Sequence, residues 1–259
     1  MKGRGWYTVS MEKELNIRLD AKQTAYGKYA GNKSQPLVIV VHGLPCSIME
    51  GLYERACFWF AEHGYATYRF NLYGWQKDAR QLMNCTLTTH ANDLDVIVAH
   101  FRRKGHKKVF VIGHSFGGPT IFLSKQQAFD AAVLWDPSYG LSFTKKNYGY
   151  PGGKFVKALN GYVMPWGANV VLSKAMARQI DELDWDALSE TFQKPLKIFA
   201  AEKGVLVKGC QRYLEAANQP KALTVVKGAT HYFDNTPRMQ ERLFAASEKW
   251  LKKFRTSSL

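Results

Sequence analysis

A run of bulky residues, Val109-Phe110-Val111-Ile112, enters directly into Gly113-His114-Ser115-Phe116-Gly117-Gly118. Few patterns restrict a fold more. The apolar run reads as a strand buried on both faces, and Pro119 to Lys125 can continue as a helix. Between them the chain turns within a few residues, so bulk at position 113 or 117 would collide across the turn. G-x-S-x-G in that setting lifts Ser115 Oγ above a sheet edge at a helix N-terminus, where backbone N–H groups favour negative charge. Ser115 is the candidate nucleophile. The competing reading is a glycine-rich turn with an incidental serine.

The rest of the chain supplies a sheet for that turn. Leu15 to Leu19 and Gln23 to Ala30 read as an opening hairpin closed by Gly31-Asn32. Leu37 to Val41, Ala66 to Phe70, Ala131 to Trp135, Leu196 to Ala200 and Leu223 to Val226 read as further strands. Tyr53 to His63 looks helical and ends at Gly64. Leu94, Ile97, Val98 and Phe101 fall at i, i+3, i+4 and i+7, an amphipathic helix stopped by Gly105. Strand and helix in alternation imply an α/β fold, a mostly parallel central sheet flanked by helices. The connection from 138 to 194 is too long for an ordinary loop and reads as an inserted cap, with a helix around Leu172 to Ile180. The core is then 1–137 plus 195–259. Thr236-Pro237 begins the last helix, whose inward stripe is Met239, Leu243, Ala246 and Trp250.

Composition excludes several classes. The 259 residues are 46% hydrophobic and only 22% charged, enough apolar material for one sizeable core and too little charge for a disordered chain. No apolar run approaches the roughly 20 residues of a membrane span, and Met1 to Asp20 has no secretory apolar stretch. Cys46, Cys57, Cys85 and Cys210 lack CxxC spacing, so reduced thiols in a cytoplasmic protein are expected. The net charge is +15. Its densest groups, from Arg102 to Lys108 and from Lys249 to Arg255, sit at expected helix ends, where they compensate helix dipoles. No nucleic-acid motif accompanies them, so no nucleic-acid partner is expected, and the charge suits surface association with anionic membranes.

A general base must follow the serine and reach it from the carboxyl edge of the sheet. His63, His90, His100 and His106 lie upstream on helices or their ends, and His114 is the x of G-x-S-x-G. His231 alone follows the last strand, in Gly228-Ala229-Thr230-His231. Two strand ends offer the carboxylate that would orient it. Asp136 closes Ala131 to Trp135, and Glu202 follows Leu196 to Ala200. His42-Gly43-Leu44-Pro45 leaves the strand at Leu37, so the Leu44 N–H can pair with that of Phe116 to bind an oxyanion, with His42 structural. His/Cys spacing for a metal is absent.

These motifs resemble the α/β-hydrolase superfamily of serine esterases and lipases, over nearly the whole chain from Leu37 to the final helix. Gly113 to Pro137 and the strands around Leu196 and Val225 are similar to the platelet-activating-factor acetylhydrolase branch. That branch carries its acid after the strand that follows the nucleophile helix, which favours Asp136. The acid position common in the superfamily, one strand later, is Gly204 here, and Asn71 stands where many relatives have aspartate. The resemblance implies a Ser115–His231–Asp136 triad, an acyl-enzyme, no cofactor and a small-molecule ester substrate. Tyr139, Phe143, Tyr148, Tyr150 and Trp166 either line an acyl or aryl pocket or form the cap's own core. A thioesterase, an amidase or peptidase, an acyltransferase, and a non-catalytic binding protein of the same fold are the alternatives.

Overall fold

The computed structural model describes residues 12–145, 152–166, 168–236 and 238–256. Its opening hairpin forms in two pieces. β1 (Lys13–Glu14) pairs with β4 (Gly27–Ala30), and β2 (Ile17–Arg18) with β3 (Thr24–Ala25). There follow β5 (Leu37–Val41), α1 (Gly51–Glu62), β6 (Ala66–Phe70), α2 (Leu87–Arg103), β7 (Val109–His114), α3 (Gly117–Phe122) and β8 (Ala131–Trp135). After residue 138 come β9 (Lys154–Val156), β10 (Gly161–Trp166), β11 (Ala168–Ser173), α4 (Lys174–Glu182) and α5 (Ala187–Glu190). β12 (Leu196–Ala201), α6 (Val207–Ala216), β13 (Lys221–Val226) and α7 (Met239–Lys252) close the chain.

Eight strands form one sheet in the order β1-β4-β6-β5-β7-β8-β12-β13. From β6 to β13 every pairing is parallel; β4 runs against them, and β1, antiparallel to β4, returns to their direction. Period-2 alternation decides where helices go. Leu37, Ile39 and Val41 of β5, with Val109 and Val111 of β7, bury against Leu94, Ile97, Val98 and Phe101 of α2, Ile121 of α3 and Tyr213 of α6. Val38, Val40, Phe110 and Ile112 point the other way, to Tyr53 and Phe60 of α1 and Leu243 and Phe244 of α7. β5 and β8 are apolar at every position because both faces are covered.

Two expectations need correction. Leu172, expected on a helix, lies in β11, and β9, β10 and β11 form a separate antiparallel sheet in the order β11-β10-β9. The helix starts only at Lys174, where Ser173 Oγ accepts the Met176 N–H at 3.0 Å. The last helix begins at Met239 rather than at the expected proline. Arg238 precedes it in the left-handed region (φ 67°), and the Met239 N–H donates to the Thr236 carbonyl at 3.1 Å. Pro237 lies outside the described residues.

The 138–194 segment buries Leu141, Phe143, Met164, Leu172, Met176 and Ile180 in one cluster with Leu87 and Phe116. Its core therefore packs on the residue that follows Ser115. Among the described residues no helix is long and apolar enough to cross a membrane.

Candidate active site

Three strand ends converge at one edge of the sheet. Ser115 follows β7 with φ 53°, a left-handed conformation that a side chain rarely adopts and that surrounding structure must enforce. The enforcement is local. A Cβ on Gly117 would strike the Val41 carbonyl, and one on Gly113 would sit 2.7 Å from the Gly117 carbonyl oxygen. The Ser115 N–H donates to the Trp135 carbonyl at 3.0 Å, continuing the β7–β8 ladder through the turn.

Asp136 follows β8, also at positive φ (42°), and is fully buried. Its Oδ1 accepts the Ala201 N–H at 2.9 Å. Its Oδ2 lies 2.6 Å from Nδ1 of His231, in the loop after β13. A carboxylate accepts only, so His231 Nδ1 carries the hydrogen, and the neutral ring keeps its lone pair on Nε2. The other candidate acid is turned elsewhere: Glu202 Oε2 accepts the Gly228 N–H at 2.8 Å. Gly204 lies against the same carboxylate, since a Cβ there would be 3.3 Å from Asp136 Oδ2.

Leu44, Pro45, Ser115, Phe116, Ser138, Leu141, Trp166, His231 and Tyr232 surround a cavity of about 260 Å³. A Cβ on Gly43 would sit 2.8 Å from Ser115 Cβ, so only glycine lets the loop after β5 approach this closely. Among the described residues, neither the Leu44 nor the Phe116 N–H donates a hydrogen bond to a protein acceptor. Both are available to an oxygen bound beside Ser115.

Of the aromatic candidates, Trp166 lines this cavity. Tyr139 and Phe143 are not among its lining residues. Tyr139 is buried against Tyr213 and donates its hydroxyl to Asp186 at 2.6 Å, and Phe143 is fully buried edge-on to Trp166. Tyr148 and Tyr150 lie outside the described residues.

Two histidines hold the site without facing it. His42 Nδ1–H donates to the Gly43 carbonyl at 2.7 Å, and its Nε2 accepts the Leu72 N–H at 3.0 Å. Burial lowers its pKa to about 4, so it is neutral. His114 is also buried, and desolvation followed by the nearby His231 holds its pKa well below the ordinary value. Its Nε2–H donates to the His231 carbonyl at 2.9 Å, which leaves Nδ1 to accept from the Tyr53 hydroxyl at 2.8 Å. Tyr53 Oη in turn accepts the Gly43 N–H at 3.0 Å. One chain of bonds thus ties the Gly43 loop to the His231 loop. Sequence reasoning missed Tyr53 and Ser138, whose relation to the site exists only once β5, β7 and β8 lie side by side. Among the described residues no group of three His, Cys, Asp or Glu side chains could hold a metal ion.

The fold agrees with comparisons to known proteins. A family model described as serine aminopeptidase, S33, matches residues 32–189, more than half of the chain. The chain belongs to this α/β-hydrolase family. The match does not single out the platelet-activating-factor acetylhydrolase branch. No curated protein matches the sequence. Among solved structures, Est1E from Butyrivibrio proteoclasticus is similar at TM-score 0.76 and 17% identity, over 94% of this chain and 99% of that one. The Pyrococcus furiosus esterase Pf2001 aligns at TM-score 0.69 and 20% identity, over 94% and 93% of the two chains. A dienelactone hydrolase from Anabaena variabilis reaches 0.68 at 12% identity, over 94% and 98%. Identities this low speak to the shared fold.

Proposed function

We propose that the protein is a serine carboxylic-ester hydrolase working through Ser115, His231 and Asp136. The observation that carries this reading is the 2.6 Å Asp136–His231 contact beside a cavity that His231 and Ser115 both line. Asp136 fixes the tautomer that leaves Nε2 as the base. Ser115 Oγ attacks the ester carbonyl and its proton passes to Nε2. The oxyanion takes the Leu44 and Phe116 N–H groups, a contribution of roughly 3–4 kcal/mol per donor in comparable sites. His231 then protonates the departing alcohol, and water repeats the cycle on the acyl-enzyme. Protons and electron pairs are moved by the chain's own groups and by water.

The lining supports a short-to-medium acyl or aryl ester. Leu44, Pro45, Phe116, Leu141 and Trp166 offer apolar walls, and the volume sits just below the roughly 300 Å³ at which small-molecule pockets usually begin. The 138–194 segment acts as a cap, since Leu141 and Trp166 come from it. The family description raises an aminopeptidase as the rival on the same residues. Such an enzyme must hold a substrate ammonium, and a desolvated ammonium needs a carboxylate. None of the described residues lining this cavity carries one, which favours a neutral ester.

Ser115→Ala tests the reading. Ester hydrolysis should fall by about 10⁴-fold or more in kcat while the melting temperature is kept, and a fluorophosphonate should label Ser115 in the parent protein only. Undiminished turnover by the folded variant would refute it.

A further inference from the structure

Ser138 stands in the site with no role in that scheme. Its Oγ is 3.3 Å from Ser115 Oγ, it is almost fully buried, and it lines the same cavity. Its backbone is fixed at both ends. The Ser138 N–H donates to the Ser115 carbonyl at 3.0 Å, and the buried Tyr213 hydroxyl donates to the Ser138 carbonyl at 2.8 Å. This much support for one small side chain is not what an idle loop residue receives.

Strand order says which side of the nucleophile it occupies. β7 lies between β5 and β8, so Leu44 approaches Ser115 from the β5 side and Ser138 from the β8 side. Asp136 ends that same β8, and it anchors His231 there. An oxyanion bound toward Leu44 therefore leaves the departing oxygen on the side of His231 and Ser138.

We infer that Ser138 is a further catalytic residue whose hydroxyl hydrogen-bonds the leaving-group oxygen and, in the second half-reaction, the attacking water. The inference rests on Ser115 being the nucleophile. In the free enzyme the two hydroxyls share one hydrogen bond. When Ser115 Oγ bonds to the acyl carbon it gives its proton to His231, and the Ser138 O–H is released toward the oxygen whose bond to that carbon is breaking. That oxygen leaves with the proton from His231, and Ser138 keeps its own throughout. A donor aimed at developing negative charge gains most where that charge is greatest. Ser138 therefore matters more for a poor leaving group than for a good one.

The test compares ethyl butyrate with 4-nitrophenyl butyrate, which share an acyl group and differ in the leaving oxygen. Ser138→Ala should lower kcat/KM on the ethyl ester by about 10- to 100-fold more than on the nitrophenyl ester. Equal losses on both, or none on either, would overturn the inference, because a packing defect does not sense leaving-group basicity. Should the alanine variant fail to fold, Ser138→Thr and Ser138→Val form a nearly isosteric pair that differs in the hydroxyl, and the same ratio is read between them. Ser115→Ala runs alongside. If it is inactive on both esters, the Ser138 result stands on its own. If it still turns over, the nucleophile assignment fails and this inference falls with it.

Discussion

At the scale of single residues, the proposed acid Asp136 has Gly204 against it, since a Cβ at 204 would sit 3.3 Å from Asp136 Oδ2. The resemblance to serine esterases and lipases implies an acid at 204, so the two positions are alternative places for one carboxylate. Asp136→Asn keeps the shape yet offers His231 Nδ1 an amide able to donate, so the wrong tautomer is favoured and kcat should fall about 10³- to 10⁴-fold. Glu202→Gln should cost less than about tenfold, because that side chain only caps the exposed Gly228 turn. The double variant Asp136→Gly with Gly204→Asp should recover at least about tenfold over Asp136→Gly alone. Glycine tolerates the positive φ at 136, and the new carboxylate starts beside the vacated one. Steady-state rates on one chromogenic ester decide all three, and a severe Glu202→Gln defect beside a mild Asp136→Asn defect would mean the acid is misassigned. Ser115, Asp136 and His231 could be named from sequence because each marks the end of a strand that its own residues announce. Ser138 could not, because an isolated Ser-Tyr-Gly after a proline carries no local signal.

Between elements, the loop carrying Leu44 is held from β6 and the segment after it. Arg69 donates to the Ile48 carbonyl, Asn71 accepts the Ile48 N–H, and the Tyr73 hydroxyl donates to the Cys46 carbonyl. Arg69-Phe70-Asn71-Leu72-Tyr73 departs from the superfamily pattern at Asn71, and that residue serves as one of the clamps. The β11-β10-β9 sheet is less legible in the sequence. Tyr162 to Trp166 and Val170 to Leu172 are short apolar runs, and a helical period fits Leu172 to Ile180 as well, so the pattern alone carries the helix back into the end of β11. Within the 138–194 segment two aromatics in edge contact separate by role. Trp166 touches the cavity, whereas Phe143 beneath it is fully buried. Trp166→Ala should reorder the preference among acetyl, butyryl, octanoyl and benzoyl esters with little loss of melting temperature. Phe143→Ala should leave that order intact and cost about 3–5 kcal/mol in urea unfolding, the usual toll of emptying a buried phenyl site. If Trp166→Ala leaves the order unchanged, the acyl group is housed elsewhere.

Across the whole molecule, the +15 net charge is carried by surface lysines and arginines, many at helix ends, such as those closing α2 and α7. Acid sensitivity comes from inside. His42, His90 and His114 are all buried at the carboxyl edge of the sheet, and burial pushes the first two down to about 4 and about 3 and the third well below its ordinary value. His90 is the starkest, because among the described residues neither ring nitrogen has a hydrogen-bond partner, and the ring packs against Tyr73 and Phe116. In the unfolded chain each titrates near 6.5. Below that pH the unfolded state binds protons that the folded state refuses, so stability must fall as pH drops from about 6.5 toward 4, by up to about 1.4 kcal/mol per pH unit for each histidine. His100 and His106, less deeply buried, shift the same way and steepen the fall. Asp20 and Asp78, whose pKa values are lowered, lose their contribution mostly below this window, whereas Asp93, raised by burial, takes up a proton more readily in the folded state and offsets part of the fall near its acid end. Urea unfolding at constant ionic strength should therefore give a midpoint that declines steadily between pH 6.5 and 4.5. His90→Phe removes one of the three protons while keeping an apolar ring, so its stability should depend less steeply on pH by about one proton's worth. A parent protein equally stable at pH 7 and pH 4.5 would mean that these rings accept protons without unfolding the edge on which the site is built.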